Sequence, residues 1–158
     1  MCEYCGCQAV AAIDLLTREH DLAKGHAYAA RSAAERGDLS AAGHACAALA
    51  AVLTPHSAIE EQALFPVMAR EFGPQMAHLV DEHRLIAAVL TEVTQAEDVS
   101  EDWATRLIAA LDVLREHILK EQDGVFPSAL ATLTASEWDA LDDVRRAIGS
   151  PVETTTLD

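Results

Sequence analysis

Two stretches of the chain carry histidine and glutamate at the same helical spacing. Each has a histidine, a glutamate four residues later, and a Phe-Pro pair that begins five residues after the glutamate, in residues 56–66 and 117–127. Residues four apart on a helix lie on one face, one turn apart, so His56 would point the same way as Glu60, and His117 the same way as Glu121. Each pair can therefore offer an imidazole nitrogen and a carboxylate oxygen to one metal ion.

A second motif precedes each copy of the first. Glu-His-x-Leu occurs at residues 19–22 and again at residues 82–85. The distance from one copy to the next is nearly the same for both motifs, which indicates an internal duplication. Two helical hairpins related by a pseudo-two-fold axis would bring all four motifs to one centre. Matched stations of imidazole and carboxylate suit a pair of first-row metal ions bridged by the carboxylates.

A solvated helix face is the simpler interpretation of any single His-x-x-x-Glu, and most such pairs bind no metal. Here the pair occurs twice, and both copies continue into the same Phe-Pro. The histidines also have apolar neighbours along the chain, such as Leu16 and Ala23 around His20. Because a core that buried four histidines and two carboxylates without a metal would carry a large desolvation cost, the repeat favours a metal site.

With this duplicated motif the sequence resembles the hemerythrin-like family, also called the HHE cation-binding domain, over roughly Ile13 to Leu130. Ferritin-like carboxylate bundles use Glu-x-x-His instead, in the opposite order. The resemblance implies a non-haem di-iron centre with an oxo or hydroxo bridge, able to bind dioxygen. It implies six ligands, with the two glutamates as bridges: His20, His56, Glu60, His83, His117 and Glu121.

Two departures from the oxygen-carrying hemerythrins bear on the role. Carriers place two histidines four apart on the third helix, whereas His78 and His83 are five apart, about 140° around a regular helix. A π-bulge would align them and make His78 a seventh ligand; otherwise His78 lies behind the ligands or at the surface. The fourth helix uses Glu121, with Gln122 where carriers have an aspartate. The carrier role is therefore open.

Two classes of function fit these motifs. One is a binding module that binds or senses dioxygen, peroxide or nitric oxide. The other is a di-iron redox enzyme, for example one that decomposes peroxide as a catalase does or acts on nitric oxide; iron sensing or storage is a further alternative. A zinc-containing or metal-free structural bundle is a more distant interpretation. The sequence contains no phosphate loop or nucleotide fingerprint, so hydrolase and kinase activities have no support.

Glutamates adjoin several of the proposed ligands. Glu19, Glu61 and Glu82 each stand next to one of them in the chain. Such residues are more often solvated than coordinating, so we expect most of them at the surface, although one could support a ligand from behind or fill a vacant coordination position.

Five helices must position these residues. The predicted helices are about Ala9–Arg36, then from the N-cap Asp38 to about Phe72, Gln75–Glu97, from the N-cap Ser100 to about Gln122, and Ser136–Ile148. We expect a kink or local break at Pro55 and a break near Gly124 and Pro127. The connections are short, so the prediction is an all-α, up-down-up-down four-helix bundle with a short C-terminal fifth helix.

The predicted bundle domain covers residues 9–150, between a Cys-rich tail at residues 1–8 and a flexible tail at residues 151–158. Cys2, Cys5 and Cys7 could bind zinc or copper(I), take part in redox exchange, or have no role. Cys46 stands in an alanine-rich stretch and is expected in the core.

Charge and hydropathy exclude several classes of partner. The formal net charge is −15, which repels phosphate backbones and argues against nucleic acid as a partner. No apolar run reaches the roughly 18–20 residues that a membrane span needs. The first residues lack a basic segment and include Glu3, unlike a signal peptide. The sequence therefore predicts a cytoplasmic protein with no membrane association.

Overall fold

All regular structure in the described part of the chain is helical, as the alanine- and leucine-rich composition predicts. The computed structural model describes residues 7–95, 97 and 99–153, with side chains from residue 11 onward. The α-helices are α1 Cys7–Glu35, α2 Leu39–Ile59, α3 Phe65–Thr94, α4 Trp103–Lys120, α5 Phe126–Thr132 and α6 Ala135–Ile148. Among the described residues, no helix has both the length and the apolar character that crossing a membrane requires.

The long helices pack as a bundle. Helix α1 lies against α2 and α4, and α3 also lies against both, so that the four close into a ring. Helix α3 leaves helical geometry at Phe72, with φ −120° and ψ 42°. The predicted end of a helix at Phe72 thus coincides with a kink, and Pro74, which has no backbone N–H to donate, follows it. The helix then continues to Thr94, three residues short of the predicted Glu97.

Two π-helical turns, Glu60–Leu64 and Glu121–Val125, join α2 to α3 and α4 to α5. Two predicted helix breaks are wrong. Helix α2 continues through Pro55 to Ile59, and the second π-turn and α5 keep the chain helical through Gly124 and Pro127. In the first turn the Phe65 N–H donates to the Glu60 carbonyl, five residues back. This wider hydrogen-bond register accommodates the proline that follows each turn, since its missing N–H would leave a gap in an α-helical ladder.

Helix termini agree with some of the predicted caps. Asp38 caps α2, because its carboxylate accepts from the Ala41 N–H at 3.0 Å. Thr134 and Glu137 form a capping box at the start of α6. The prediction that Ser100 caps α4 is wrong: the helix follows Asp102, while the Ser100 hydroxyl donates to the Glu92 carboxylate at 3.2 Å.

The two ends of the predicted domain differ from expectation. Helix α1 begins at Cys7 rather than Ala9. Cys2, Cys5 and the Cys7 side chain lie outside the described residues, so the thiol cluster stays a prediction. At the other end Ser150 and Val152 are only 8% and 7% exposed, which places the start of the predicted flexible tail against the bundle.

The apolar core is divided into two clusters by a polar layer. Along α1, Leu16 belongs to one cluster and Ala23 to the other, with His20 between them. The same change occurs around His56 on α2 and around His83 on α3, whereas along α4 it comes after His117, between Ile118 and Val125 of the π-turn that follows. Cys46 is fully buried in one of these clusters, as predicted. The bundle thus places its buried histidines at one level, between two apolar layers.

Candidate metal centre

Six of the seven predicted site residues come together in two overlapping groups at this polar level. We call the groups the first half-site, His20, His56, Glu60 and Glu121, and the second half-site, His83, His117, Glu60 and Glu121. Within each half-site the candidate ligand atoms lie within 4.8 Å of one another, and all the residues are buried. The two half-sites share both glutamates.

Glu60 lies between one imidazole of each half-site. Its Oε1 is 3.1 Å from His56 Nε2, one turn earlier on the same chain segment, and its Oε2 is 3.3 Å from His83 Nε2 on α3. The two oxygens of one carboxylate therefore face two different half-sites. Glu60 is therefore within reach of both groups at once.

Glu121 has the matching position in the second copy of the repeat. Its Oε1 is 2.7 Å from His117 Nε2, and its Oε2 is 2.9 Å from His20 Nε2 on α1. All four histidines thus present Nε2 to the centre. The pseudo-two-fold arrangement expected from the duplication extends to individual ligand atoms.

Buried polar atoms at this centre lack hydrogen bonds. Within the described residues, His20 Nε2, His56 Nε2 and both carboxylate oxygens of Glu60 and of Glu121 have no hydrogen-bond partner. His83 Nε2 also lies 3.0 Å from His117 Nε2, so that two ring nitrogens face each other. Such groups are costly in a protein interior unless something satisfies them. Cations between them would do so, and this set of imidazole and carboxylate donors suits first-row transition metals.

Opposite charges are concentrated at the centre. Burial disfavours the charged form of His56, but the negative charges of Glu60 and Glu121 and the hydrogen bond with Glu19 outweigh it, so the pKa of His56 lies well above its usual range. Burial opposes charge on His117 as well, yet Glu121 beside it raises its pKa to about 9. The same contacts hold the pKa of the Glu121 carboxyl well below its usual range despite burial. The carboxylates are therefore ready to bind cations, and a bound metal must displace protons from the imidazoles.

The geometry agrees with a comparison against protein-family models. Residues 11–129 match the model of the hemerythrin HHE cation binding domain. The chain belongs to this family. Membership of this family implies that the domain binds metal cations, and the buried histidine–glutamate cluster fits a metal site. A search of curated proteins and a search of solved structures found no match.

Three imidazoles of this HHE domain are held from behind by carboxylates. The Nδ1 atoms of His56, His83 and His117 lie 2.7, 2.7 and 2.8 Å from the carboxylates listed in the same order, Glu19, Glu61 and Glu82. Such partners orient a ligand imidazole and raise its basicity. The expectation that most of these glutamates are solvated is therefore wrong. The sequence signal for two of them was the glutamate that stands before His20 and again before His83. Each of these glutamates contacts a histidine on a different helix.

Two phenylalanine rings stack on histidines of the half-sites. Phe126 stacks on His20 with ring centroids 5.5 Å apart, and Phe65 stacks on His83 at 5.6 Å. Each phenylalanine immediately follows a π-turn that begins at a shared glutamate. The Phe-Pro of the repeated motif thus places a ring against the histidine of the other half-site.

His78 stands apart from both half-sites. Helix α3 is regular between His78 and His83, so the π-bulge that would align them is absent from this stretch. The His78 side chain is 64% exposed, and its Nε2 is 3.1 Å from Glu82 Oε1. His78 therefore contacts a carboxylate that supports His117 rather than joining the cluster.

Proposed function

We propose that this HHE domain binds two iron ions, one in each half-site, and uses them to bind dioxygen or a related small ligand such as peroxide or nitric oxide. The ligands would be the four imidazoles and the two shared glutamates, with an oxo or hydroxo bridge between the ions. One observation carries the proposal: in Glu60 and in Glu121 alike, one carboxylate oxygen faces the first half-site and the other oxygen faces the second. An up-down-up-down order of the four long helices is part of the same proposal.

Bound iron would supply redox chemistry and open coordination positions for a small ligand. The chain contributes four donor residues to each half-site, two imidazoles and two carboxylates. An octahedral ion accepts about six ligands, so positions remain for water or an incoming molecule. The apolar clusters on both sides keep bulk water away, and the carboxylates behind the histidines hold the rings in orientation.

A redox enzyme is the second candidate function, and the position of His78 favours it. Because His78 lies outside both half-sites, the second half-site has fewer imidazoles than the corresponding site of a carrier. A less complete set of ligands favours turnover over stable storage of a bound ligand.

Metal analysis of the aerobically purified protein, joined to an optical spectrum, tests the proposal. We expect about two irons per chain, since there are two half-sites, together with near-ultraviolet absorption of bridged ferric ions. One zinc per chain and no iron, after expression in iron-replete medium, would overturn it.

Adding dioxygen to the reduced protein separates the two candidate functions. An oxygenated spectrum that persists for hours and reverses under vacuum would identify a binding protein. Rapid autoxidation, or steady decomposition of added peroxide, would identify a redox enzyme. We expect autoxidation or peroxide decomposition, because His78 lies outside both half-sites and a coordination position therefore stays open.

A further inference from the structure

A cavity of about 310 Å³ lies beside the two half-sites. All four imidazoles of the cluster line it, whereas neither shared glutamate does. The cavity therefore reaches the centre from the imidazole side. Its charged wall residues, Glu61 and Arg84, are 38% and 75% exposed and mark the side that faces solvent.

The volume of this cavity exceeds what a diatomic ligand needs. One water occupies about 30 Å³ of the liquid, and a protein cavity of about 150 Å³ can hold benzene. By that measure the cavity has room for at most about ten to twelve non-hydrogen atoms, including those of any small ligand at the metal centre. It also reaches the lower end of the range for organic-ligand pockets, roughly 300–1,000 Å³. Dioxygen, peroxide or nitric oxide would leave most of it unfilled.

The walls of the cavity are mainly apolar. The larger apolar side chains that line it are Leu53, Ile86, Leu90, Leu114 and Ile118. Three hydroxyl side chains, those of Thr54, Ser57 and Thr91, are also present. Apart from the imidazoles, the charged side chains among its described lining residues are the exposed ones at the solvent side.

These walls restrict the charge of an occupant. A charged molecule would lose its hydration inside the cavity without gaining a buried partner on the apolar walls. The net charge of −15 also repels anions from the protein as a whole. The suitable occupant is neutral and largely apolar, with one polar end that can meet the metal centre.

We propose that the cavity binds a neutral, largely apolar organic molecule of up to about ten to twelve non-hydrogen atoms, with its polar end against the imidazole side of the centre. This inference rests on the proposed function, because the open metal positions are what the polar end would face. It narrows the substrate class of the same site. A small organic molecule would bind there beside the dioxygen-sized ligand.

Phenol is a probe of suitable size and polarity, and calorimetric titration of the iron-loaded protein measures its binding. Azide, titrated in parallel, needs an open metal position but not the cavity. Two variants, Ala50→Leu on α2 and Ala87→Leu on α3, add bulk to the cavity wall. Ala27→Leu on α1 is the matched control for Ala50→Leu, since both alanines are partly buried but Ala27 lines a different groove.

We expect saturable phenol binding at millimolar concentration to the native protein and the control. Binding should be about tenfold weaker in each cavity variant, because a change of this size in an apolar pocket has effects of that order. Azide affinity should be the same in all four proteins. If iron and azide binding are retained but phenol does not saturate, or binds the cavity variants equally well, the cavity proposal is overturned while the proposed function stands. A native protein without iron would overturn both.

Discussion

The two half-sites share their inner ligands but differ in what lies behind them. Behind the first half-site, Glu19 is fully buried and holds His56 with one oxygen, while its other oxygen accepts from the Ser150 hydroxyl at 2.5 Å. Behind the second half-site, Glu82 is 8% exposed and lies 2.5 Å from the Lys120 ammonium. A hydroxyl from the C-terminal segment supports one carboxylate, and a cation near the surface supports the other.

A second difference concerns the histidines on α1 and α3. His83 Nδ1 lies 2.7 Å from Glu61, whereas His20 Nδ1 is buried and has no hydrogen-bond partner among the described residues. In the repeat, the residue that corresponds to Glu61 is Gln122. The candidate ligand atoms are therefore arranged symmetrically, while the residues behind them differ. The two metal positions are expected to differ in affinity.

The largest effect is expected when a shared ligand is removed. Glu121→Ala should abolish most metal binding in both half-sites, whereas His20→Ala should remove about half of the iron, because His20 serves one half-site only. Metal binds the folded state, so its loss should also lower the thermal midpoint. Iron per chain and thermal unfolding of both variants measure this. Equal iron loss in the two variants would show that the half-sites do not fill independently.

The supporting carboxylates should rank next. Glu19→Gln should weaken metal binding by about 10- to 100-fold, as is usual when an outer partner of a ligand histidine is altered. Glu82→Gln should cost less, because Lys120 already offsets the charge of Glu82 and holds its pKa low although burial opposes this. Competition with a chelator of known affinity measures both. A larger loss for Glu82→Gln would reverse the comparison.

Ser150→Ala should have a smaller effect, transmitted through Glu19. The variant leaves a buried carboxylate oxygen without its donor, which costs about 1–3 kcal/mol of unfolding free energy. Denaturant unfolding of the metal-loaded protein measures this, with Ser40→Ala as a control at an exposed serine in the first turn of α2. If the two serine variants are equally stable, the C-terminal segment does not support the first half-site.

The smallest effect is expected from making the half-sites alike. Gln122→Glu would give the second copy of the repeat the carboxylate that the first has at Glu61, and should raise metal affinity by less than about tenfold. Glu61→Gln is the reverse change and should lower it by a similar factor. Chelator competition on both variants gives the comparison. If Gln122→Glu leaves the affinity unchanged or lowers it, while Glu61→Gln lowers it as expected, residue 122 does not approach His20.

The duplication allowed the sequence to predict the all-helical bundle and the six clustered residues. Spacing along a helix predicts which side chains share a face, and the repeat predicts which faces meet. The partners of those residues were harder to predict. Glu19 and Glu82 adjoin histidines in the chain but contact histidines on other helices, and local spacing carries no information about such contacts.

The π-turns show the same limit. A π-bulge at His78 was one of two alternatives, because it would have aligned two histidines, but the π-turns begin at Glu60 and Glu121. A proline after a histidine–glutamate pair indicates a helix break by ordinary rules, yet the chain stays helical through both Phe-Pro pairs by way of the π-turns. His78 was a candidate ligand because carriers have a second histidine on their third helix. Helix α3 stays regular there, so the His78 side chain remains exposed.

The two π-turns also bear on the history of the chain. A π-turn adds one residue to a helix, and each copy of the repeat has one at the same place, directly at its glutamate. Two separate insertions at the same point require two coincident events, whereas one insertion before the duplication requires only one. One insertion before the duplication is therefore the simpler explanation, and the duplicated unit would then have been a single helical hairpin.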